Sequence, residues 1–137
     1  MHNFTQYVSE VKLNLAGKSN KMDAFFDEWY KMSDSHPFSA HDRIVNGNVT
    51  MYLYPSNGEV HLSDIRSLAP GSGAATKAMK QLMSLTKKHK LVLSGFAKAY
   101  SDDTKYVTDT AALIKWYKKL GFTVRNSGPD GAEIKYK

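Results

Sequence analysis

Residues 68–83, Leu-Ala-Pro-Gly-Ser-Gly-Ala-Ala-Thr-Lys-Ala-Met-Lys-Gln-Leu-Met, pass from an apolar stretch through two closely spaced glycines into a lysine-studded helical pattern. A helix N-terminus carries main-chain N–H groups with no intrahelical acceptor and a partial positive charge. It therefore suits an anion, phosphate above all. Gly71 and Gly73 would let such an anion come close, because no Cβ intervenes and unusual backbone angles are open to them. Ala74 and Ala75 keep the approach narrow-sided, and Ser72 and Thr76 could add hydroxyl donors. The same run also reads as a tight strand-to-helix turn with no ligand. It is not a Walker A loop, since no Gly-Lys-Ser/Thr follows, and position 76 is Thr where a dinucleotide fingerprint has its third glycine.

A second group precedes it. Glu-Val-His-Leu-Ser-Asp-Ile-Arg, residues 59–66, reads as a strand that carries His61 and Asp64. Histidine is a good base near neutral pH, and Asp64 could act directly or through water. Strict alternation places His61 with Ser63 and Ile65, and Asp64 with Val60 and Leu62 on the other face, unless a bulge intervenes. Each residue has a plainer reading: His61 as a hydrogen-bonded sheet residue, Asp64 as an ion-pair partner of Arg66. Tyr100, Asp102 and Asp103 fit the mouth of a site or an ordinary loop. Tyr117 lies beside Leu113 and Trp116 on an apolar stripe, where tyrosines commonly serve the core. His36 and His41 have no third ligand pattern, so no metal site is expected. Without cysteine, thiol catalysis is excluded.

Residue composition sets the frame for these groups. At 137 residues, with 42% hydrophobic and 23% charged positions, the sequence suits one domain over 1–137 with a real core. Lack of cysteine fits a cytoplasmic setting. No apolar run reaches bilayer length, and the first ten residues have no signal-peptide pattern, so no membrane association is expected. The net charge of +6 points to solubility or to an acidic partner such as nucleic acid, an acidic protein or a polyphosphate. Lys77, Lys80, Lys87, Lys88 and Lys90 make one basic helix side, read as a solvated face, an anion-steering surface or a nucleic-acid contact.

The elements that must hold these groups follow from periodicity. Helices are predicted over 4–16 and 21–33, the latter with Ser19 or Asn20 as cap and Met22, Phe25, Phe26 and Trp29 as its apolar stripe. Residues 34–42 read as loop. An antiparallel meander follows over 43–68, with Asn46-Gly47 as a hairpin signal. A helix over 73–89, a strand from Lys90 buried on both faces, a helix ending at Gly121 and a closing hairpin complete the order αα-βββ-α-β-α-ββ. This is a mixed α/β layer with a βαβ-like unit near residues 59–98.

A strand, a Gly-Ser-Gly-Ala turn opening a helix, a further strand, and then Leu-Ile-Lys-Trp-Tyr-Lys-Lys-Leu-Gly-Phe (113–122) together resemble the GCN5-related N-acetyltransferase (GNAT) superfamily, over roughly residues 43–137. The resemblance implies a single-domain, mostly antiparallel mixed sheet flanked by helices. It implies acetyl-coenzyme A as cofactor, an amine of a small molecule or protein as acceptor, and direct transfer in a ternary complex. It assigns the pyrophosphate to Gly71, Ser72, Gly73, Ala74, Ala75 and Thr76, and the pantetheine arm to a strand end at Ser67 and Leu68. It makes Tyr117 the acid toward the leaving thiolate and seats the base on the strand of His61 and Asp64. Thr110 fills a slot where the family often has Asn, and Leu68 stands where Arg or Gln is usual. Homodimers are common among such proteins. The rival expectation is a non-catalytic domain of this fold that binds nucleic acid or a protein partner.

Overall fold

The computed structural model describes residues 20–68, 72–98, 110–128 and 130–137. In chain order these form α1 (Asn20–Met32), β1 (Asp34–Ser35), β2 (Arg43–Val45), β3 (Val49–Ser56), β4 (Glu59–Ser67), α2 (Ala74–Lys88), β5 (Leu93–Ala97), α3 (Thr110–Leu120), β6 (Thr123–Gly128) and β7 (Gly131–Tyr136). The predicted helix over 4–16 lies outside the described residues, as does the proposed cap Ser19; Asn20 is already helical.

Turn chemistry builds the meander. Asn46 and Gly47 take φ of 56° and 75°, and Asn57 and Gly58 take 53° and 76°. Two successive positive φ values make the turn whose twist matches a two-residue hairpin, so β2, β3 and β4 pair antiparallel in register. β4, α2 and β5 form the expected βαβ unit, with β4 and β5 parallel. The final hairpin folds back so that β7, not β6, lies beside β5, giving the order β1-β2-β3-β4-β5-β7-β6 in one seven-stranded sheet.

Two expectations need correction. Asp34 and Ser35, read as loop, pair with Ile44 and Arg43 as an edge strand. The Arg43 guanidinium fixes this corner by donating to Ser33 Oγ, Ser33 O and Tyr30 O. β5 is buried on one face only: Leu93 and Ala97 point into the core, whereas Phe96 is exposed. Its apolar run reflects Leu91 and Leu93 on the core side together with Val92, not a doubly covered strand.

The core lies on one face of the sheet. Val49, Met51 and Leu53 of β3, Val60 and Leu62 of β4, Leu93 and Ala97 of β5, and Ala132 and Ile134 of β7 meet Phe25 and Trp29 of α1, Met79 and Leu82 of α2, and Ile114 and Tyr117 of α3. An exposed Glu28 ties α1 to the end of α2 by accepting from Lys88 Nζ and pairing with His89 Nε2 at 2.9 Å. The Lys88 hydrogen bond holds the Glu28 carboxyl below its usual range.

Gly131 locks the closing hairpin. Its φ is 129°, and a Cβ there would sit 2.6 Å from the Ala97 carbonyl oxygen and 2.6 Å from the Phe96 ring. Neither backbone angle nor space suits a side chain, so Gly131→Ala is expected to lower stability by about 2 kcal/mol. Urea unfolding reads this as a lower midpoint at unchanged slope; an unmoved midpoint rejects it.

Candidate active site

β4 carries a bulge that decides what its face presents. Tyr52 pairs with Asp64 and Leu53 with Leu62, which leaves Ser63 as an extra residue. A bulge changes the phase of alternation by one. The expectation that His61 and Asp64 lie on opposite faces is therefore overturned. Val60, Leu62 and Ile65 follow the core side, and His61, Asp64 and Arg66 stand opposite Tyr54, Tyr52 and Thr50. His61 packs on the Tyr54 ring at 4.9 Å, and its Nδ1 lies 3.5 Å from Ser94 Oγ on β5.

β4 and β5 separate beside this bulge. They pair only through Val60–Leu93, His61–Ser94 and Leu62–Gly95. Beyond Leu62, β4 stays with β3 as far as Ser67, while β5 stays with β7 as far as Ala97. Gly95 is the last point of close contact, since a Cβ there would sit 3.0 Å from the Leu62 carbonyl oxygen. The extra residue increases local twist, and among the described residues the pairing of β4 with β5 ends here, which is the gap between them. Ser67 pairs with Val49 on the β3 side. The Leu68 N–H donates to Asn48 O at 2.7 Å, which claims that amide within the protein; the Leu68 side chain is 59% exposed.

At the far end of β4 the chain reaches α2. Gly73 is its N-cap, with φ 79° and ψ 6°, no side-chain cap and no acidic residue in the first turn. Among the described residues nothing stands within 4 Å of where its Cβ would be. The first helical hydrogen bond runs from Lys77 N–H to Gly73 O. The amides of Ala74, Ala75 and Thr76 therefore precede the helical ladder, at the positive end of a 15-residue helix. Ser72 is exposed and Ala74, Ala75 and Thr76 are half-buried beside it; Gly71 lies outside the described residues.

Tyr117 stands on the buried side of α3. It is only 4% exposed, wedged edge-on between Trp116 at 4.9 Å and Phe122 at 5.1 Å. Burial pushes its phenol above the usual 10.0, and the negative charge of Asp64 pushes further in the same direction. That second cause links α3 electrostatically to the bulged strand. Its neighbour Trp116 donates Nε1–H to Thr76 Oγ1 at 2.9 Å, which fastens α3 to the first turn of α2. This contact was not foreseen from the sequence. The only sign of it was Trp116 being adjacent to Tyr117 on one stripe. Thr110 opens α3 and is half-buried. Tyr100, Asp102 and Asp103 lie outside the described residues. Of the two loop histidines, His36 Nδ1 accepts from Phe38 N–H and His41 stacks on Tyr52 at 5.0 Å.

No family model matches the chain, and no curated protein matches it in sequence. Among solved structures it is similar to the anti-CRISPR protein AcrVA5, with a TM-score of 0.56 and 14% identity over 69% of this chain and 95% of that one. The ribosomal-protein-S18-alanine N-acetyltransferase from Escherichia coli aligns with a TM-score of 0.45 and 17% identity over 85% of each chain. The likeness is one of fold. Within it no helix among the described residues is long and apolar enough to cross a membrane.

Proposed function

We propose that this GNAT-like fold is an N-acetyltransferase that moves the acetyl group of acetyl-coenzyme A to an amine within a ternary complex. One observation carries the reading. The gap between β4 and β5, the helix start at Gly73 without a side-chain cap, and the protonated phenol of Tyr117 belong to one connected corner of the fold.

When bound, acetyl-coenzyme A supplies an activated acyl group and a diphosphate. The amides of Ala74, Ala75 and Thr76, with Gly71, Ser72 and Gly73 ahead of them, suit the diphosphate by charge and by open space. Thr76 accepts from Trp116, which leaves its own hydroxyl proton to donate outward. An extended arm would run along β4 beyond Leu62, where its pairing with β5 ends among the described residues.

His61 takes the proton of the attacking amine, with Asp64 beside it on the same face. Tyr117 acts on the leaving sulfur. A phenol above its usual range is a weaker acid than a thiol near 8.5, so Tyr117 keeps its proton and stabilises the developing thiolate by a hydrogen bond. Proximity of the reactants within the gap is worth about 7–11 kcal/mol when well aligned.

Binding is tested by thermal unfolding with acetyl-coenzyme A. At 100 times the dissociation constant the ligand is expected to add ~2.7 kcal/mol of stability. Absence of any shift at millimolar concentration rejects the proposal.

A further inference from the structure

We infer that Trp116, tethered to Thr76 on α2, is a positioning residue that fixes where the Tyr117 hydroxyl stands; this inference rests on the acetyltransferase reading. Tyr117 sits between two aromatic jaws. Phe122 is one, at 5.1 Å and an interplanar angle of 75°, and Trp116 is the other, at 4.9 Å and 65°. Edge-to-face pairs of this kind set a ring's orientation as well as burying it. The Phe122 jaw is anchored through the backbone and the sheet. Its N–H donates to Tyr117 O at 3.1 Å, and its ring meets Tyr136 of β7 at 5.7 Å. The Trp116 jaw is anchored through a side chain. Trp116 is half-buried, and its indole N–H donates at 2.9 Å to the hydroxyl of Thr76, in the first turn of another helix.

An indole carries one donor and no acceptor, so this bond meets the whole polar requirement of the side chain. Packing alone does not call for it, since phenylalanine would present an aromatic edge to Tyr117 without any donor. The bond fixes both of its ends. A helical threonine otherwise divides between two rotamers, one of which turns its hydroxyl toward a main-chain carbonyl. Thr76 has no other hydrogen-bond partner among the described residues, so the indole decides where its hydroxyl points. In return the indole plane is held against the phenol. Thr76 belongs to the turn proposed for the diphosphate, so the tether sets the phenol relative to the place where the cofactor would be gripped.

Such placement matters because a hydrogen bond weakens steeply as its angle and distance depart from the best values. A misplacement of about 1 Å can cost about 100-fold in rate. A donor that must meet a developing thiolate therefore needs neighbours whose own rotamers are locked by packing and hydrogen bonds. In this role Trp116 acts through the phenol and not on the reacting atoms.

The test measures thiol release from saturating acetyl-coenzyme A by the full chain, with hydroxylamine as the amine, a small nucleophile that is uncharged near pH 7. Trp116→Phe keeps an aromatic edge on Tyr117 and removes the tether. It is expected to lower turnover about tenfold while acetyl-coenzyme A affinity, read by isothermal titration, stays within about twofold of the parent. Thr76→Val removes the same tether from the α2 side and should reproduce the fall in turnover at saturating cofactor. The deciding readout is the Tyr117→Phe background, where no hydroxyl is left to position. There Trp116→Phe is expected to cost less than about twofold. A tenfold fall that persists in that background overturns the inference, because the tether then serves the fold and not the phenol. Parent-like turnover in both single variants overturns it equally. Either result leaves the transferase reading standing; loss of acetyl-coenzyme A binding in the unaltered protein removes both.

Discussion

Tyr117→Phe is expected to lower kcat about 100-fold and to leave the affinity for acetyl-coenzyme A where it was. The substitution removes one hydroxyl from a ring that is buried among Trp116 and Phe122. The ring contacts stay, so α3 keeps its place and Trp116 keeps its hydrogen bond to Thr76. What disappears is the donor proposed for the leaving sulfur, an interaction that would matter chiefly as charge develops, and such losses fall on kcat and kcat/KM together. A module that only binds a partner has no reason to respond. The variant also carries a pH signature. Tyr117 holds its proton to higher pH in the folded than in the unfolded state. Its contribution to stability is therefore whole below about pH 10 and is lost progressively above it. Phenylalanine has no proton to lose, so the variant should show a flatter stability curve on the alkaline side. Turnover equal to that of the parent protein rejects the role; a weakened cofactor affinity with normal kcat relocates Tyr117 to the binding surface.

Most of the architecture was legible because local chemistry and global fold agree. Asn46-Gly47 announced its turn, and Phe25 and Trp29 announced the buried side of their helix. The β1 strand was not legible. Asp34 and Ser35 have weak strand propensity and pair only because Arg43 is anchored to Ser33 and Tyr30, a tertiary cause. β7 between β5 and β6 is likewise a matter of docking: either strand of a hairpin can lie inside, and the tight Gly131–Ala97 approach selects this one. The candidate site divides along the same line. The glycine turn could be read from residue types, and Tyr117 as a buried member of its helix stripe, its proposed role coming from the family resemblance alone. The common face of His61 and Asp64 could not, because it depends on one extra residue at Ser63 that no composition signal marks. The coupling of Tyr117 to Asp64 follows from that bulge, and so became visible only with the strands in place.

Gly73→Asp is expected to weaken acetyl-coenzyme A binding about 100-fold while the protein remains folded. Gly73 is left-handed at φ 79°, a conformation that Asp and Asn tolerate better than other side chains. Among the described residues nothing stands within 4 Å of the new Cβ, so they leave room for it. An Asp carboxylate beside the positive end of the helix is also favourable to the helix itself, and this is what makes the test informative. The carboxylate occupies the position and the amides proposed for the diphosphate, and repels it besides. Two unit charges 4 Å apart interact by about 4 kcal/mol at an effective dielectric near 20. Solvent screening at an exposed turn reduces this to about 2.7 kcal/mol, a factor of about 100. Gly73→Asn separates the two causes. It fills the same space and caps the same amides without the charge, so its loss should be nearer tenfold and less sensitive to salt. Isothermal titration at low and high ionic strength measures both. If Gly73→Asp binds acetyl-coenzyme A as the parent does, the α2 N-terminus is not the phosphate site. If both variants lose binding equally at every salt concentration, the cradle works through its main-chain amides and its open space rather than through net charge.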